Sequence, residues 1–397
     1  MSCTNTEYST EAPLNREPPV KELVSKFITP DSISYDRNHG PVPHLSADTH
    51  AVQIDGLVAN PIRLSVHQLT TEFPQHEVWC ALECAGNRRH TMRTMLKEVE
   101  GIDWGDAAVM NCRWKGPRLR DVLHRAGVLR QGQAQSRTKT DTEVGTGAGT
   151  EAGSPLHVAF SSYQVPCQDD TWFGGSVELE RGLSEDAEVI LALEMNGSPL
   201  QPNHGYPVRA VLPGIAGARW VKWLDRITVQ NEESTNFYQR RDYKVLPEEA
   251  VDRDSAEQFW DRTPAMSEVS INSVVAVPET GETVYRSEAG KLEVKGYAVP
   301  QGSSGPVTRV QVSGDGGRTW VDAQIGQSDP DNLLGNGARK WCWALWRAEI
   351  DIEPGAGREA VSRAVDAGGN RQTEHTQWNL RGVGYSGYGR VRNLTVR

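Results

Sequence analysis

The segment Ala81–His90, ALECAGNRRH, sets one cysteine beside two small residues and then a run of basic side chains. Cys84 is followed by Ala85, Gly86, Asn87, Arg88 and Arg89, with His90 and Arg93 close behind. Two readings are open. A buried, inert thiol with solvated arginines is the common fate of an isolated cysteine. The other is a soft metal ligand beside an anion pocket, which Ala85 and Gly86 favour because small residues let a bulky ligand approach the backbone. If Arg88, Arg89, His90 and Arg93 converge on one pocket, a small anion suits it better than a polyanion, because the chain carries a net charge of -10.

Other cysteine chemistry fits less well. Cys80 and Cys84 would share a helix face, but a structural zinc site takes about four Cys/His ligands and no second pair presents itself. The six cysteines (Cys3, Cys80, Cys84, Cys112, Cys167, Cys342) form no Cys-x-x-Cys pair and no disulfide framework. The N-terminus lacks the order of a signal peptide, the last residues LTVR are not a peroxisomal address, and no apolar run reaches the ~18 residues of a membrane span. Reduced thiols, a cytoplasmic location and neither membrane nor nucleic-acid partners are expected. GVGYSG, Gly382 to Gly387, matches the dinucleotide pattern but opens no helix, so it is read as a glycine-rich turn.

Several stretches share the character of the cysteine motif. YDRNHGPVP carries Tyr35, Arg37, Asn38 and His39 before rigid proline turns; the glycine- and proline-rich run Glu194 to Leu224 holds His204, Arg209, Arg219 and Lys222. RRDYKV places Tyr243 among charges, and WNLRGV places Arg381 in an otherwise apolar run. Taken singly, each is a surface charge or a satisfied polar group. Together they supply many donors in shaped loops, as a phosphate-bearing cofactor and an oxyanion require.

A chain of 397 residues exceeds the roughly 250–300 at which a single core stops growing, so more than one domain must position these groups. Residues 1–20 are polar and proline-bearing and read as a flexible arm. Residues 21–265 mix helix caps with short strands and read as an α+β domain. Within it, 131–154 are rich in Gly, Thr and Glu and read as a disordered loop insertion. Just before that insertion, GPRLRDVLHRAGVL reads as a helix with Pro117 in its first turn and Gly127 at its end. From 266 to 397 the alternation in KLEVKGYAV, TRVQVSGDGGRTW and WCWALWRAEID, with Trp341 and Trp343 on one face, predicts an antiparallel sandwich.

Across these residues the chain resembles the sulfite oxidase family of molybdenum enzymes, from NREPP at Asn15 to WNLRGV at Trp378. CAGNRR is specific to the wider sulfite oxidase and nitrate reductase superfamily, and RNHGP, the His204–Leu224 run and GYAV with VSGDGGRTW add to the likeness. The resemblance implies a molybdopterin-binding α+β domain followed by an immunoglobulin-like sandwich that makes a homodimer. It implies Mo-molybdopterin as cofactor, with no haem in this chain, and Cys84 as the protein ligand to molybdenum, a soft thiolate suiting a sulfur-rich centre. It places Arg37, Arg89, Tyr243 and Arg381 in the oxyanion pocket with Trp104 nearby, and Tyr35, Asn38, His39, His204, Arg209 and Lys222 against the pterin and its phosphate. The implied reaction is oxidation of sulfite to sulfate, with electrons leaving to an external acceptor, oxygen or a separate redox protein. The alternatives are the molybdenum domain of a nitrate-reductase-like enzyme, which tends to carry methionine where Arg381 stands, and a non-catalytic cofactor- or partner-binding module.

Overall fold

A computed structural model of the protein describes residues 8–129, 155–326 and 340–397. The insertion expected at 131–154 lies outside the described residues. The first domain is built on a five-stranded sheet in the order Ile62–Ser65, Ala51–Gly56, Arg226–Gln230, His157–Ser162, Phe173–Glu178. Its inner pair is parallel, with Ile54 opposite Ile227, and strict alternation in Ala51–Gly56 buries Val52 and Ile54. A second sheet pairs Gln75–Glu83 antiparallel with Val109–Pro117 over nine residues, from Gln75 opposite Pro117 to Glu83 opposite Val109. That pairing fixes the end of the strand from which the Cys84 turn departs.

The helix anticipated near residue 120 is Leu119–Arg125. Leu119, Val122, Leu123 and Ala126 are fully buried, and Gly127 takes the left-handed φ of +69° that closes such a helix. Pro117 ends the preceding strand instead of opening the helix, since it is paired to Gln75.

The second domain is a two-layer sandwich. One layer orders Asn272–Val277, Lys291–Val299, Ala344–Asp351 and Gln324–Ile325; the other orders Thr283–Val284, Gly389–Val396, Gly355–Asp366, Val307–Ser313 and Val321–Asp322. Trp346, Ile350, Val310, Val312 and Leu394 meet between the layers. Trp341 and Trp343 serve another purpose. Trp341 joins the first domain's core, its indole donating to Glu188 at 2.6 Å and its carbonyl accepting from Ala81 N at 2.8 Å. Trp343 donates to the Phe27 carbonyl at 2.9 Å. The sandwich therefore grips the strand that leads to Cys84.

From Asn15 to the arm's end at residue 20, the structure corrects the flexible-arm expectation. Asn15–Arg16 pair antiparallel with Asp36–Arg37, and the Glu17 carboxylate accepts from Gly105 N at 2.6 Å and Ala107 N at 3.0 Å. Leu23, on the short helix Val20–Leu23, is fully buried. Polar composition reads as disorder when the groups that use those side chains are distant in sequence, as here.

Candidate active site

The strand Gln75–Glu83 ends in a tight turn in which Asn87 N donates to Cys84 O at 2.9 Å. The Asn87 side chain locks it: Nδ2 donates to Glu83 at 2.8 Å and to Tyr297 Oη at 3.0 Å, and Oδ1 accepts from Ala108 N at 3.1 Å. Arg88 then takes a left-handed φ of 65°, so the two neighbouring arginines part. Arg88 runs into the second domain, donating to Asn272 Oδ1 and Gly387 O, each at 2.7 Å. Arg93 pairs with Glu98 and Asp103, and His90 with Asp103. Of the four basic residues in the motif, only Arg89 turns toward the site. Its guanidinium also occupies the space left by Gly86, where a Cβ would lie 2.6 Å from Nη2. The glycine makes room for an arginine, not for a ligand.

A cavity holding about 720 Å3 of empty space, mouth included, opens beside the Cys84 thiol. Tyr35, Arg37, Asn38, His39, His204, Arg209, Lys222 and Tyr243 all line it with Cys84, and among the described residues no carboxylate does, Asp36 standing behind His204 at 3.9 Å. Arg381 stands on an adjoining outer cleft whose wall it shares with Arg37 and His39. Arg89 lines neither space. It is boxed in by Gly86, Gly101 and Gly382, donating to Ile102 O at 2.8 Å and to Arg381 O at 3.0 Å. Trp104 is likewise buried behind the wall, edge-on to Tyr35 at 6.4 Å.

The cavity is short of negative charge. Burial, and next the nearby Lys222, pushes the His204 imidazole down to about 3. Burial, then Arg209, pushes the Lys222 ammonium down to about 7, and burial takes Arg209 itself down to about 10. Arg209 Nε makes no hydrogen bond although it is buried. Such a wall asks for an anion. Beside it the Cys84 thiol is raised by burial, with Arg89 and Arg37 opposing. A bound metal ion would draw off that proton. Cationic groups for a phosphate and a soft sulfur for a metal fit a molybdenum–pterin cofactor.

Tyr243 follows a π-helical turn, Tyr238–Asp242, which aims Asp242 and Tyr243 at successive sites. Its hydroxyl lies 2.7 Å from His39 Nε2, while His39 Nδ1 lies 3.1 Å from Arg37 Nη2. A guanidinium can only donate, so Nδ1 accepts and the imidazole proton sits on Nε2. His39 is held neutral, well below its ordinary range, by burial and then by Arg37. Tyr243 therefore accepts from His39, and its own O–H is free to donate into the cavity. Burial raises that phenol to about 12.

Three contributors escaped the sequence reading. Asp242 is buried and binds Arg381 Nη2 at 2.6 Å, while Arg381 Nη1 lies 3.3 Å from Glu100. Asn15 donates no charge but touches Arg37. Cys167 lines the cavity, on a loop whose Gln168 N donates to His39 O at 2.9 Å. Asn15 alone carried a signal, the NREPP motif; the partners of the other two are set by folding.

A cation-walled cavity ending on a thiol, in an α+β domain followed by a sandwich, is the arrangement of a molybdopterin-binding oxidoreductase. Residues 39–238 match the family model of the oxidoreductase molybdopterin binding domain, and 263–394 that of the Mo-co oxidoreductase dimerisation domain. The human mitochondrial sulfite oxidase is 39% identical over 97% of this chain, and the chain spans 65% of that protein's length. Arabidopsis thaliana sulfite oxidase is 36% identical over 97% of this chain and 93% of its own. Among solved structures, the sulfane dehydrogenase SoxCD of Paracoccus pantotrophus superposes with a TM-score of 0.68 at 26% identity, covering 93% of this chain and 82% of that one. The chain belongs to the sulfite oxidase family. Among the described residues, no helix is long and apolar enough to cross a membrane.

Proposed function

We propose that the protein oxidises sulfite to sulfate, with Cys84 as the ligand to molybdenum. The observation that carries this reading is the meeting of Cys84, Arg37 and Tyr243 on one carboxylate-free cavity, with Arg381 on the cleft that leads to it. Tyr35, Asn38, His39, His204, Arg209 and Lys222 hold the pterin and its phosphate. When bound, the molybdenum cofactor supplies the two-electron acceptor and the oxygen-atom donor of the reaction. Overall, sulfite and water become sulfate, two protons and two electrons, and the electrons pass to an external acceptor.

The side chains do the rest. Arg37 and Arg381 draw the dianion inward and orient it, and Arg89 adds positive charge from behind the wall. In a partly dry pocket such charges act more strongly than in water. Tyr243 directs its proton toward the oxygen that is transferred, because His39 occupies its acceptor side. Arg381, although paired with Asp242 and Glu100, gives sulfite a guanidinium donor where nitrate-reductase-like enzymes tend to carry methionine. A homodimer through the second domain is supported by the family to which 263–394 belong.

Metal analysis of the purified protein, alongside sulfite-dependent reduction of an artificial acceptor, tests the reading. Molybdenum near one per chain with sulfite turnover is the expected result. Faster reduction of nitrate than oxidation of sulfite would replace it with the nitrate-reducing alternative, and bound cofactor without turnover of either would favour a non-catalytic module.

A further inference from the structure

We propose that Asn15 is a positioning residue, holding the guanidinium of Arg37 for the anionic substrate without neutralising it. The inference rests on Arg37 binding the substrate, as argued above. Asn15 stands directly opposite Arg37 in the short antiparallel pair, and Arg16 opposite Asp36. Its side-chain oxygen accepts twice, from Arg37 Nη1 at 3.2 Å and from Asn38 N at 3.0 Å. Its Nδ2 donates to Pro13 O at 3.1 Å, so the orientation of the amide is fixed and the oxygen must face Arg37. Around this contact the segment is fastened at both ends: Asn38 Nδ2 donates to Leu14 O at 2.9 Å, and Glu17 takes the two backbone donors of Gly105 and Ala107. Glu11, Pro13 and Asn15 thereby form one wall of the outer cleft that Arg37 and Arg381 share.

The chemistry of the partner is the point. Arg37 donates to the Asn15 amide, to the Asn38 carbonyl and to the His39 imidazole, and all three are neutral. Arg381, across the same cleft, is matched to Asp242 and Glu100. The two substrate guanidiniums are thus held by opposite means. Arg381 is pinned by carboxylates and offers the substrate a reduced net charge. Arg37 is pinned by neutral acceptors and keeps its charge whole. A carboxylate at position 15 would be the stronger acceptor and would hold the side chain more firmly, yet it would compete with a dianion for the same guanidinium. Aspartate also loses the donor to Pro13 O, so a purely structural role for residue 15 predicts a lower Tm with KM unmoved, whereas the positioning role predicts weaker substrate binding whatever the change in Tm.

The test compares wild type, Asn15→Asp and Asn15→Ala as cofactor-loaded enzymes of equal molybdenum content. Steady-state kinetics with sulfite are measured, together with binding of sulfate by calorimetry, a readout that needs no turnover. In Asn15→Asp, KM for sulfite and Kd for sulfate should rise together by about tenfold, the weight of one charge-assisted contact, while kcat holds and Tm falls only by what the lost Pro13 contact accounts for. Asn15→Ala should raise both constants to a similar extent by releasing Arg37. Wild-type KM and sulfate affinity in Asn15→Asp would overturn the proposal, as would a fall in kcat with KM unmoved. Should the alanine variant fail to fold, the aspartate variant decides alone. If wild type binds sulfate but does not oxidise sulfite, the proposed activity falls and the sulfate series still decides Asn15. If wild type oxidises sulfite but binds no sulfate, the KM series decides Asn15; if it does neither, both fall.

Discussion

Replacing Arg381 by methionine should separate what the guanidinium does for the substrate from what it does for the fold. Its Nε and Nη2 lie 2.9 and 2.6 Å from Asp242 Oδ1, and its Nη1 lies 3.3 Å from Glu100. The Asp242 side chain is 5% exposed and that of Arg381 20%. For the substrate, one charge-assisted contact is lost, about 1.5–3 kcal/mol, so KM for sulfite should rise roughly ten- to a hundredfold. For the fold, a buried carboxylate loses its partner. Breaking a buried pair costs about 3–5 kcal/mol, and partial exposure of the arginine points to the lower end. Near 3 kcal/mol, Tm should fall by roughly 5 °C in a chain of this size. Adding Asp242→Asn removes the stranded charge and should return most of the lost Tm, yet leave KM high. Thermal denaturation and sulfite kinetics on wild type, both single variants and the double variant complete the cycle. Wild-type KM in Arg381→Met would place Arg381 outside the substrate's reach. A Tm that Asp242→Asn fails to raise in the Arg381→Met background would refute the stranded-charge argument.

Cys84→Ser should abolish sulfite oxidation while Tm of the cofactor-free protein changes little, because a hard hydroxyl replaces the soft ligand; retained turnover would rule out the metal role. Cys80→Ser and Cys112→Ser, fully buried opposite each other on paired strands, should keep turnover and lose about 1–3 kcal/mol of stability to a buried hydroxyl, read by denaturant unfolding. In cofactor-free protein, burial and then Arg209 hold Lys222 near 7, below its unfolded value, so the folded state sheds that proton first. Between about 7 and 10.5 the unfolded chain binds more protons, and stability should rise with pH through that window. Anion affinity should do the reverse: the Tm increase given by inorganic phosphate should shrink as pH passes about 7, and an increase unchanged at high pH would show that Lys222 does not meet the anion.

Much of the site was legible because its chemistry restricts residue type. Within the motif only cysteine offers a soft thiolate, and a cation-walled cavity draws on arginine, lysine and histidine, so Cys84, Arg209 and Lys222 stand out as candidates. Direction was not legible. Arg88 and Arg89 are identical in type, and only the left-handed turn at Arg88 sends one into the second domain and the other to the site. Nor does any sequence period mark the π-helical turn that brings Asp242 to Arg381. The strand alternation at Lys291–Val299 survives because one face is buried against its own sandwich. The same alternation misplaced Trp341 and Trp343, which precede the strand Ala344–Asp351 and whose indoles donate to groups of the other domain. The stretch Asn15, Arg16 and Glu17 was misread for a related reason. Its polar side chains bond groups far along the chain, and composition counts polar residues without seeing what they bind.

The chain's return after the sandwich has a consequence for how the enzyme can be assembled and altered. The residues lining the thiol-bearing cavity fall between Tyr35 and Tyr243, all synthesised before the sandwich begins. Arg381 arrives last, on a short span whose Leu380 carbonyl accepts from Glu100 N at 2.7 Å and whose Gly384 N donates to Ala85 O at 2.9 Å. The cavity lining and the proposed oxyanion contact at Arg381 thus lie in separate parts of the polypeptide, and the docked tail brings them together beside the contacts that Trp341 and Arg88 already make between the domains. Exchange of that span between relatives would alter the preferred anion while leaving every wall of the cofactor cavity in place. In the order of synthesis, the proposed oxyanion contact comes after every residue of the chamber it would serve.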